Sequence, residues 1–382
     1  MIKLVTVIGA RPQFIKAAAI SRAVRNHFGR QIHEVIVHTG QHYDENMAKV
    51  FFEELEIPKE KYNLGIGSGS HAAQTANMMI ALEEVVLKES PDALLLYGDT
   101  NSTLAACLVA IKLFIPIIHV EAGVRSYNKI YPEEINRLIC DHFSSLLFVP
   151  SDAGMRSLQK EGFLIENHKN VRANPDHPRI FRCGDIMYDN TLFFLNKVKK
   201  EDVFRKYGIS DSPYILATMH RPSNVDSPET LESIIKAFVA IGQKHNRNII
   251  LPLHPRTRQK YSGIPGLQEL ISNSRVYITE PVSFLDMIVL EKDADLVITD
   301  SGGVQKEAYF VKKPCLIMLD ETPWPELVES GNALLTGSDY ARICAGADHF
   351  LNGNNKLNFP LLYGDGKASE FICNEIINTF NH

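Results

Sequence analysis

Apolar and polar positions in the first half of the chain follow two alternating periods. Short runs of aliphatic and β-branched residues are followed by longer stretches in which apolar residues recur at helical spacing. This alternation predicts strand–helix–strand units around a parallel sheet, which is an α/β fold. The predicted strands are Lys3–Gly9, Glu34–Thr39, Ala93–Tyr97, Ile117–Val120 and Leu146–Val149, and the predicted helices include Pro12–Asn26, Asn46–Leu55 and Ser102–Leu113.

The same pattern restarts after a less regular stretch and predicts a second α/β domain. Its helices include one over Pro228–His245 and one from Gln305. The predicted strands are Tyr214–Thr218, Asn248–Leu253, Arg275–Ile278, Leu296–Thr299 and Cys315–Met318.

The length of 382 residues allows two or three domains, each with a buried core. The polar segment Asn167–Pro178 contains two prolines and is the predicted linker. We therefore expect an N-terminal domain over residues 1–175, a C-terminal domain over 176–362, and a final helix over 363–382 that packs back on the N-terminal domain.

Composition and charge narrow the class of protein. A net charge of −5 with 45% hydrophobic and 22% charged residues is typical of a folded globular chain and gives no sign of bulk nucleic-acid binding. The six cysteines lie at least 29 residues apart, which fits reduced thiols in the cytoplasm. No signal peptide is predicted, and Lys112 and Pro116 interrupt the most apolar long segment, Leu104–Val120, so no membrane span is predicted either.

Two turns that follow predicted strands resemble anion sites. Ligands of open α/β sheets bind beyond the carboxyl ends of the strands. Gly9 opens the turn after the first strand, where Arg11 and Lys16 bring cations to a helix N-terminus, although an ordinary turn with a solvated arginine is an equal alternative. The stretch Asp300–Gly303 opens a helix after strand Leu296–Thr299.

The second of these turns is the stronger prediction. Ser301, Gly302 and Gly303 allow a phosphate to approach the backbone amides, so we expect a diphosphate cradle there. Glu307, one turn further on, is expected to accept the hydroxyls of a ribose. The alternative for Glu307 is an acid that only favours the helix dipole.

Three carboxylates are expected near one crevice. Asp99 and Glu121 follow neighbouring predicted strands, and Glu133 lies in the first turn of a helix that also carries Arg137. Crowded carboxylates split their pKa values, so we expect general acid/base chemistry. The alternative is that Glu133 favours the helix dipole and pairs with Arg137 four residues later.

The second half of the chain adds two pairs of histidine and arginine. His220-Arg221 and His254-Pro255-Arg256 follow predicted strands, and this combination suits diphosphate or sugar recognition. His38, His42 and Asp44 form only a weak metal-ligand set, so no metal site is predicted.

In their order along the chain, these motifs resemble the non-hydrolysing UDP-N-acetylglucosamine 2-epimerases over nearly the whole sequence. The matching stretches are Gly9-Ala10-Arg11-Pro12 with Lys16, Gly40-Gln41-His42, Gly98-Asp99-Thr100, His119-Val120-Glu121-Ala122-Gly123-Val124-Arg125, Pro132-Glu133-Glu134-Ile135-Asn136-Arg137, His220-Arg221 and Thr299-Asp300-Ser301-Gly302-Gly303-Val304-Gln305 with Glu307.

The resemblance implies two Rossmann-like domains of glycosyltransferase-B type, a UDP-sugar in the cleft between them, a homodimer and no cofactor. It implies acid/base roles for Asp99, Glu121, Glu133 and His220. UDP or substrate contacts are implied for Arg11, Lys16, Arg137, Arg221, His254, Ser301, Gly302, Gly303 and Glu307. The implied reaction eliminates UDP from C1 as C2 loses its proton, and then adds UDP back after C2 is protonated on the opposite face.

Two departures from the family pattern bear on the substrate. Gln41-His42-Tyr43-Asp44-Glu45-Asn46 and Thr322-Pro323-Trp324-Pro325-Glu326 each lack an arginine that relatives acting on unmodified UDP-N-acetylglucosamine carry. In lacking these two arginines, the sequence resembles a branch of the family acting on UDP-diacetamido-uronic acids of surface polysaccharide synthesis. Whether the chain has an allosteric site for UDP-N-acetylglucosamine stays an open question at this point. A retaining UDP-sugar glycosyltransferase, a hydrolysing epimerase and a silent UDP-sugar sensor remain alternatives.

Overall fold

The computed structural model describes residues 1–40, 52–165, 171–253, 255–353 and 356–380. These residues divide into two compact units, one formed by Met1–Asn190 with Leu361–His382 and one by Thr191–Pro360. We refer to them as the N-terminal unit and the C-terminal unit.

In the described part of the N-terminal unit, seven parallel strands form one sheet in the order β3-β2-β1-β4-β5-β6-β7. The order reverses between β1 and β4, which is where open α/β sheets bind ligands. The strands are β1 (Ile2–Ile8), β2 (Ile32–His38), β3 (Tyr62–Asn63), β4 (Ala93–Tyr97), β5 (Ile117–Val120), β6 (Leu146–Val149) and β7 (Arg179–Arg182).

Helices lie in the connections between strands that follow one another in the described ranges, from β1 to β2 and from β3 to β7, as parallel pairing requires. A single π-helical turn, Val24–Phe28, extends the first of them. The helices are α1 (Arg11–Ala23), α2 (His71–Glu89), α3 (Asn101–Lys112), α4 (Pro132–Phe143), α5 (Asp152–Lys160) and α6 (Ile186–Leu195), and the boundary between the units falls within α6.

The C-terminal unit repeats this architecture with six described parallel strands in the order β10-β9-β8-β11-β12-β13, and its order reverses between β8 and β11. The strands are β8 (Tyr214–Thr218), β9 (Asn248–Pro252), β10 (Val276–Thr279), β11 (Leu296–Thr299), β12 (Cys315–Ile317) and β13 (Ala333–Leu335). The helices are α7 (Lys200–Tyr207), α8 (Pro222–Val225), α9 (Pro228–His245), α10 (Pro255–Ser262), α11 (Leu267–Ser272), α12 (Phe284–Asp293), α13 (Gly302–Phe310), α14 (Pro325–Glu329) and α15 (Tyr340–Leu351).

The predicted class of two α/β domains with parallel sheets is confirmed. Central strands carry nearly continuous apolar runs because helices cover both faces of a parallel sheet. All five residues of β4 and of β8 are buried. Within the described ranges, no helix is both long and apolar enough to span a membrane.

The structure places the boundaries between the units differently from the sequence. The N-terminal unit runs to Asn190 rather than to residue 175, because β7 pairs with β6 at the edge of the first sheet. The chain returns to this unit at Leu361, two residues before the expected position. The last helix, α16 (Ala368–Phe380), contacts α1, and the carboxylate of Asp189 accepts hydrogen bonds from the backbone amides of Ala368 and Ser369 at its start.

Candidate functional site

The turn after β1 is held against the end of β4 by Gln13. Its side-chain oxygen accepts hydrogen bonds from the backbone amides of Gly9 and Ala10, at 2.8 and 3.0 Å. Its amide nitrogen donates to the carbonyl of Tyr97 and to the hydroxyl of Thr103, both at 3.0 Å. Gln13 therefore satisfies all its polar valences within the protein and fixes the turn that carries the predicted ligand-binding cations.

One of those cations pairs with a predicted catalytic acid. The Nζ atom of Lys16 lies 2.6 Å from Oε1 of Glu121, and only 9% and 12% of the two side chains are exposed. Gly98 lies directly against this pair, with φ of +61° and with the position of a missing Cβ only 3.1 Å from Nζ of Lys16. A Cβ at this position would require Nζ of Lys16 to shift by a few tenths of an ångström and would stand at a φ that favours glycine.

Glu121 has an unusual backbone conformation. Its φ of +72° lies in the left-handed region, which costs roughly 1–2 kcal/mol for a residue with a Cβ. The amides of Glu121 and Ala122 both donate to the carbonyl of Phe148, at 3.1 and 3.0 Å, and so hold this turn. Such strain persists where the surrounding structure imposes it, most often at functional sites.

Asp99, at the end of the neighbouring strand, pairs with Arg137 of α4. The other terminal nitrogen of Arg137 lies 3.0 Å from the carboxylate of Glu134, so one guanidinium serves two acids. The side-chain amide nitrogen of Asn136 donates to the backbone carbonyl of Asp99 at 2.8 Å. The first turns of α4 therefore hold both the side chain and the backbone of Asp99.

Of the two adjacent glutamates that begin α4, Glu134 turns inward and Glu133 is exposed. The alternative pairing of Glu133 with Arg137 is wrong, because Arg137 contacts the glutamate three residues before it. Glu134 accepts from the amide and hydroxyl of Ser126 and from the amide of Tyr127. Burial by itself would raise the pKa of Glu134, but these hydrogen bonds and the charge of Arg137 lower that pKa below its usual value. Glu134 thus has a structural task, and Glu133 is open to a ligand.

In the C-terminal unit, Asp300 organises the loop after β8. Its fully buried carboxylate lies 3.0 Å from Nδ1 of His220 and accepts from the backbone amides of His220 and Arg221 and from the side chain of Asn224. Although burial opposes the shift, these contacts lower the pKa of Asp300. Asp300 was predicted only as part of a motif, and Asn224 was not predicted, because their positions after β11 and in α8 give no local sign of this contact.

The N-terminus of α13 presents open backbone amides. The helix begins at Gly302, three residues before the predicted start, and among the described contacts the Ser301 hydroxyl caps none of its amides. Neither Gly302 nor Gly303 has a positive φ, and a Cβ on either would have no neighbour within 3.6 Å. The fold itself therefore does not require these glycines, whereas a phosphate approaching the amides does.

Trp324 supports this loop from beneath. It is the single tryptophan of the chain and is only 5% exposed. Its Nε1 donates to the carbonyl of Gly302 at 3.0 Å, and its ring lies 3.8 Å from Nζ of Lys306. Glu307, in the same first turns of α13, is 7% exposed. Trp324 is therefore a buried residue that contacts the predicted cradle.

Four parts of the sequence prediction lie wholly or partly outside the described residues. They are His254, the stretch Gln41–Asn46 with two members of the weak metal-ligand set, the first residues of the predicted helix Asn46–Leu55 and the first residues of the predicted linker Asn167–Pro178. Among the residues that the structure describes, no three His, Cys, Asp or Glu side chains are placed to hold a metal ion.

Comparisons with known proteins agree over almost the full length. A family model described as UDP-N-acetylglucosamine 2-epimerase matches residues 25–377. The chain is 45% identical to a UDP-N-acetylglucosamine 2-epimerase homolog of Methanococcus maripaludis, over 98% of this chain and 99% of that protein. It is 44% identical to a UDP-2,3-diacetamido-2,3-dideoxy-D-glucuronate 2-epimerase of Pseudomonas aeruginosa, over 97% and 98%. The crystal structure of the Methanocaldococcus jannaschii UDP-GlcNAc 2-epimerase with UDP-GlcNAc and UDP aligns with a TM-score of 0.84 and 41% identity, over 98% and 99%.

Proposed function

The chain belongs to the UDP-N-acetylglucosamine 2-epimerase family, a family of isomerases, and we propose that it inverts C2 of a UDP-linked N-acetylhexosamine without hydrolysing it. One observation carries this proposal. Asp99 and Glu121 stand at the ends of adjacent strands, each held by a cation, Arg137 for the first and Lys16 for the second. This arrangement supports two separate proton carriers in one site.

The chemistry needs two such carriers because C2 exchanges a proton on each of its faces. A carboxylate removes the C2 proton, the electrons form a C1–C2 double bond, and the C1–oxygen bond breaks with its electrons leaving on UDP. A second acid then protonates C2 on the opposite face as UDP adds back to C1. The C2 proton is weakly acidic, so a positioned base is essential. We propose Asp99, Glu121, Glu133 and His220 as the acid/base groups.

In this proposal, the C-terminal unit binds UDP. The amides at Ser301, Gly302 and Gly303 stabilise the diphosphate, including the charge that grows as it leaves C1. Glu307 is assigned to the ribose. Further contacts with the substrate are assigned to Arg11, Lys16, Arg137, Arg221 and His254.

The substrate is either UDP-N-acetylglucosamine or a modified derivative such as its diacetamido-uronate. The Pseudomonas aeruginosa relative supports the derivative, because its name specifies that substrate. Incubation with each compound, followed by NMR of the products, tests the proposal. An intact 2-epimer supports it and identifies the substrate. Free sugar with UDP would indicate a hydrolase, and UDP binding without turnover of either compound would indicate a sensor.

We also propose a homodimer in the cytoplasm that supplies precursors for surface polysaccharide. Support for the dimer comes from large apolar side chains exposed in the N-terminal unit, notably Phe114 at 93%, Ile80 at 64% and Leu87 at 60%. Light scattering at micromolar concentration tests the oligomeric state, since a monomeric mass would refute the dimer.

A further inference from the structure

Beneath the two turns that carry Asp99 and Glu121 lies a chain of four charged side chains. Nδ1 of His119 is 2.7 Å from Oδ1 of Asp141, and Oδ2 of Asp141 is 2.7 Å from Arg125. Both side chains of the first pair are fully buried. Successive contacts link these side chains in the order His119, Asp141, Arg125 and Glu161.

The surroundings of His119 determine its charge. Nε2 lies 2.8 Å from the carbonyl oxygen of Gly98, and Nδ1 faces the Asp141 carboxylate. Both partners accept hydrogen bonds only, so both ring nitrogens must donate and the ring is an imidazolium. Burial by itself would raise the pKa of Asp141, but His119 and Arg125 lower that pKa below its usual value. The pair is therefore a buried cation and anion.

The His119–Asp141 pair forms hydrogen bonds with the backbone of both turns, the one that carries Asp99 and the one that carries Glu121. His119 donates to the carbonyl of Gly98, the residue before Asp99, and Oδ2 of Asp141 accepts from the amide of Gly123 at 3.0 Å, two residues after Glu121. The φ angles of Gly98, Glu121 and Gly123 are +61°, +72° and +77°. Turns in such conformations keep their shape only where other groups hold them.

We propose that the His119–Asp141 ion pair is a positioning device that fixes Asp99 and Glu121 relative to each other for proton transfer. This inference rests on the proposed function. A small displacement of reacting groups is costly for the rate but not for binding elsewhere. Loss of the pair should therefore lower kcat far more than it weakens UDP binding, which is assigned to the C-terminal unit.

The same chain of charges supplies a matched control. Arg125 also forms two 2.7 Å bonds to the carboxylate of Glu161, at the outer end of the network. Glu161→Gln weakens that end and leaves the contacts of His119 and Asp141 with the turns in place. Asp141→Asn is the corresponding change at the inner end, and both substitutions preserve side-chain shape.

The first measurement uses the native protein labelled with ¹⁵N-histidine. His119 should show two ring N–H signals protected from solvent exchange, with the nitrogen shifts of an imidazolium, at pH 7. A neutral His119 ring at that pH would overturn the inference whatever the variants show.

The second measurement compares C2 deuterium exchange at saturating substrate, KM and UDP affinity in the variants. Asp141→Asn should lower kcat by about 100-fold, with UDP affinity within a few-fold of native, while Glu161→Gln stays within a few-fold of native in kcat. A native kcat in Asp141→Asn, or an equal loss in Glu161→Gln, would overturn the inference. His119→Gln replaces Asp141→Asn if the latter does not fold. A native protein that exchanges no C2 proton would instead refute the proposed function itself.

Discussion

Asp300 holds His220 by both its ring and its backbone. The carboxylate lies 3.0 Å from Nδ1 and also accepts from the backbone amide of His220. The carboxylate is fully buried, whereas 58% of the histidine side chain is exposed. Because Nδ1 faces the acid, Nε2 is the ring nitrogen left to meet a substrate.

Replacing this carboxylate should impair catalysis with little effect on UDP binding. In Asp300→Asn the ring loses the charge that orients it, and we expect kcat to fall by about 100-fold, within the range for a general acid or base. Asp286→Asn is the control, because Asp286 is a similarly buried acid that contacts Lys206, Tyr207 and Ser283 instead. Steady-state kinetics decide: equal kcat values in the two variants would show that Asp300 does not act through His220.

Gly98 offers a test of the Lys16–Glu121 pair. Gly98→Ala places a Cβ 3.1 Å from Nζ of Lys16 at a φ of +61°. Gly208→Ala is the matched control, with a φ of +64° and nothing within 4 Å of its Cβ. Urea unfolding should give both variants a loss of about 1–2 kcal/mol from the φ angle alone. Only Gly98→Ala should lose most of its C2 exchange, and equal activity in both would contradict the assigned role of the pair.

Trp324 should report the arrival of UDP. It is the single tryptophan, and its indole donates to the carbonyl of Gly302 within the proposed cradle. A diphosphate at this loop changes the electric field at the ring, so intrinsic fluorescence should change saturably as UDP is added. Ser301→Ala removes a hydroxyl that can donate a hydrogen bond to the phosphate, so it should shift the midpoint to higher UDP concentration. Calorimetric UDP binding with no fluorescence change would place the diphosphate elsewhere.

Asp286 predicts a pH dependence of stability. Burial opposes the shift, but hydrogen bonds from Lys206, Tyr207 and Ser283 lower its pKa in the folded chain. A lowered folded pKa stabilises the protein above the unfolded pKa, near 3.9, and this stabilisation is lost as pH falls through the folded pKa. Asp286→Asn should cost about 1–2 kcal/mol at pH 7. Urea unfolding should show that this difference shrinks below about pH 4; a constant difference would refute the assignment.

Much of the fold follows from the hydrophobic pattern alone. Strands β4, β5, β6, β8 and β11 have the predicted bounds, because each is a short, mostly apolar run between turn residues. β7 escaped prediction because it reads Arg-Ile-Phe-Arg and lies at the edge of its sheet, and its pairing moves the domain boundary to Asn190.

The position of a candidate site residue at the end of a strand was predictable where the residue lies within two residues of that end, as Asp99, Glu121 and His220 do. The residues from distant segments of the chain that contact these turns could not be predicted. Asp141 lies in the last turn of α4, and nothing in its local sequence indicates that it contacts His119 and the Gly123 amide. Helical spacing also left the directions of Glu133 and Glu134 undecided, since adjacent helical side chains diverge by about 100° and only packing selects the inward one.

The most direct test of the central claim follows C2 of the UDP-sugar by NMR in deuterated water. The native protein should place deuterium at C2 of both epimers while the bond to UDP is intact at equilibrium. Asp99→Asn and Glu121→Gln should abolish this exchange and keep UDP affinity within a few-fold of native. Unlabelled C2 in both UDP-N-acetylglucosamine and its diacetamido-uronate, in protein that binds UDP, would contradict the account.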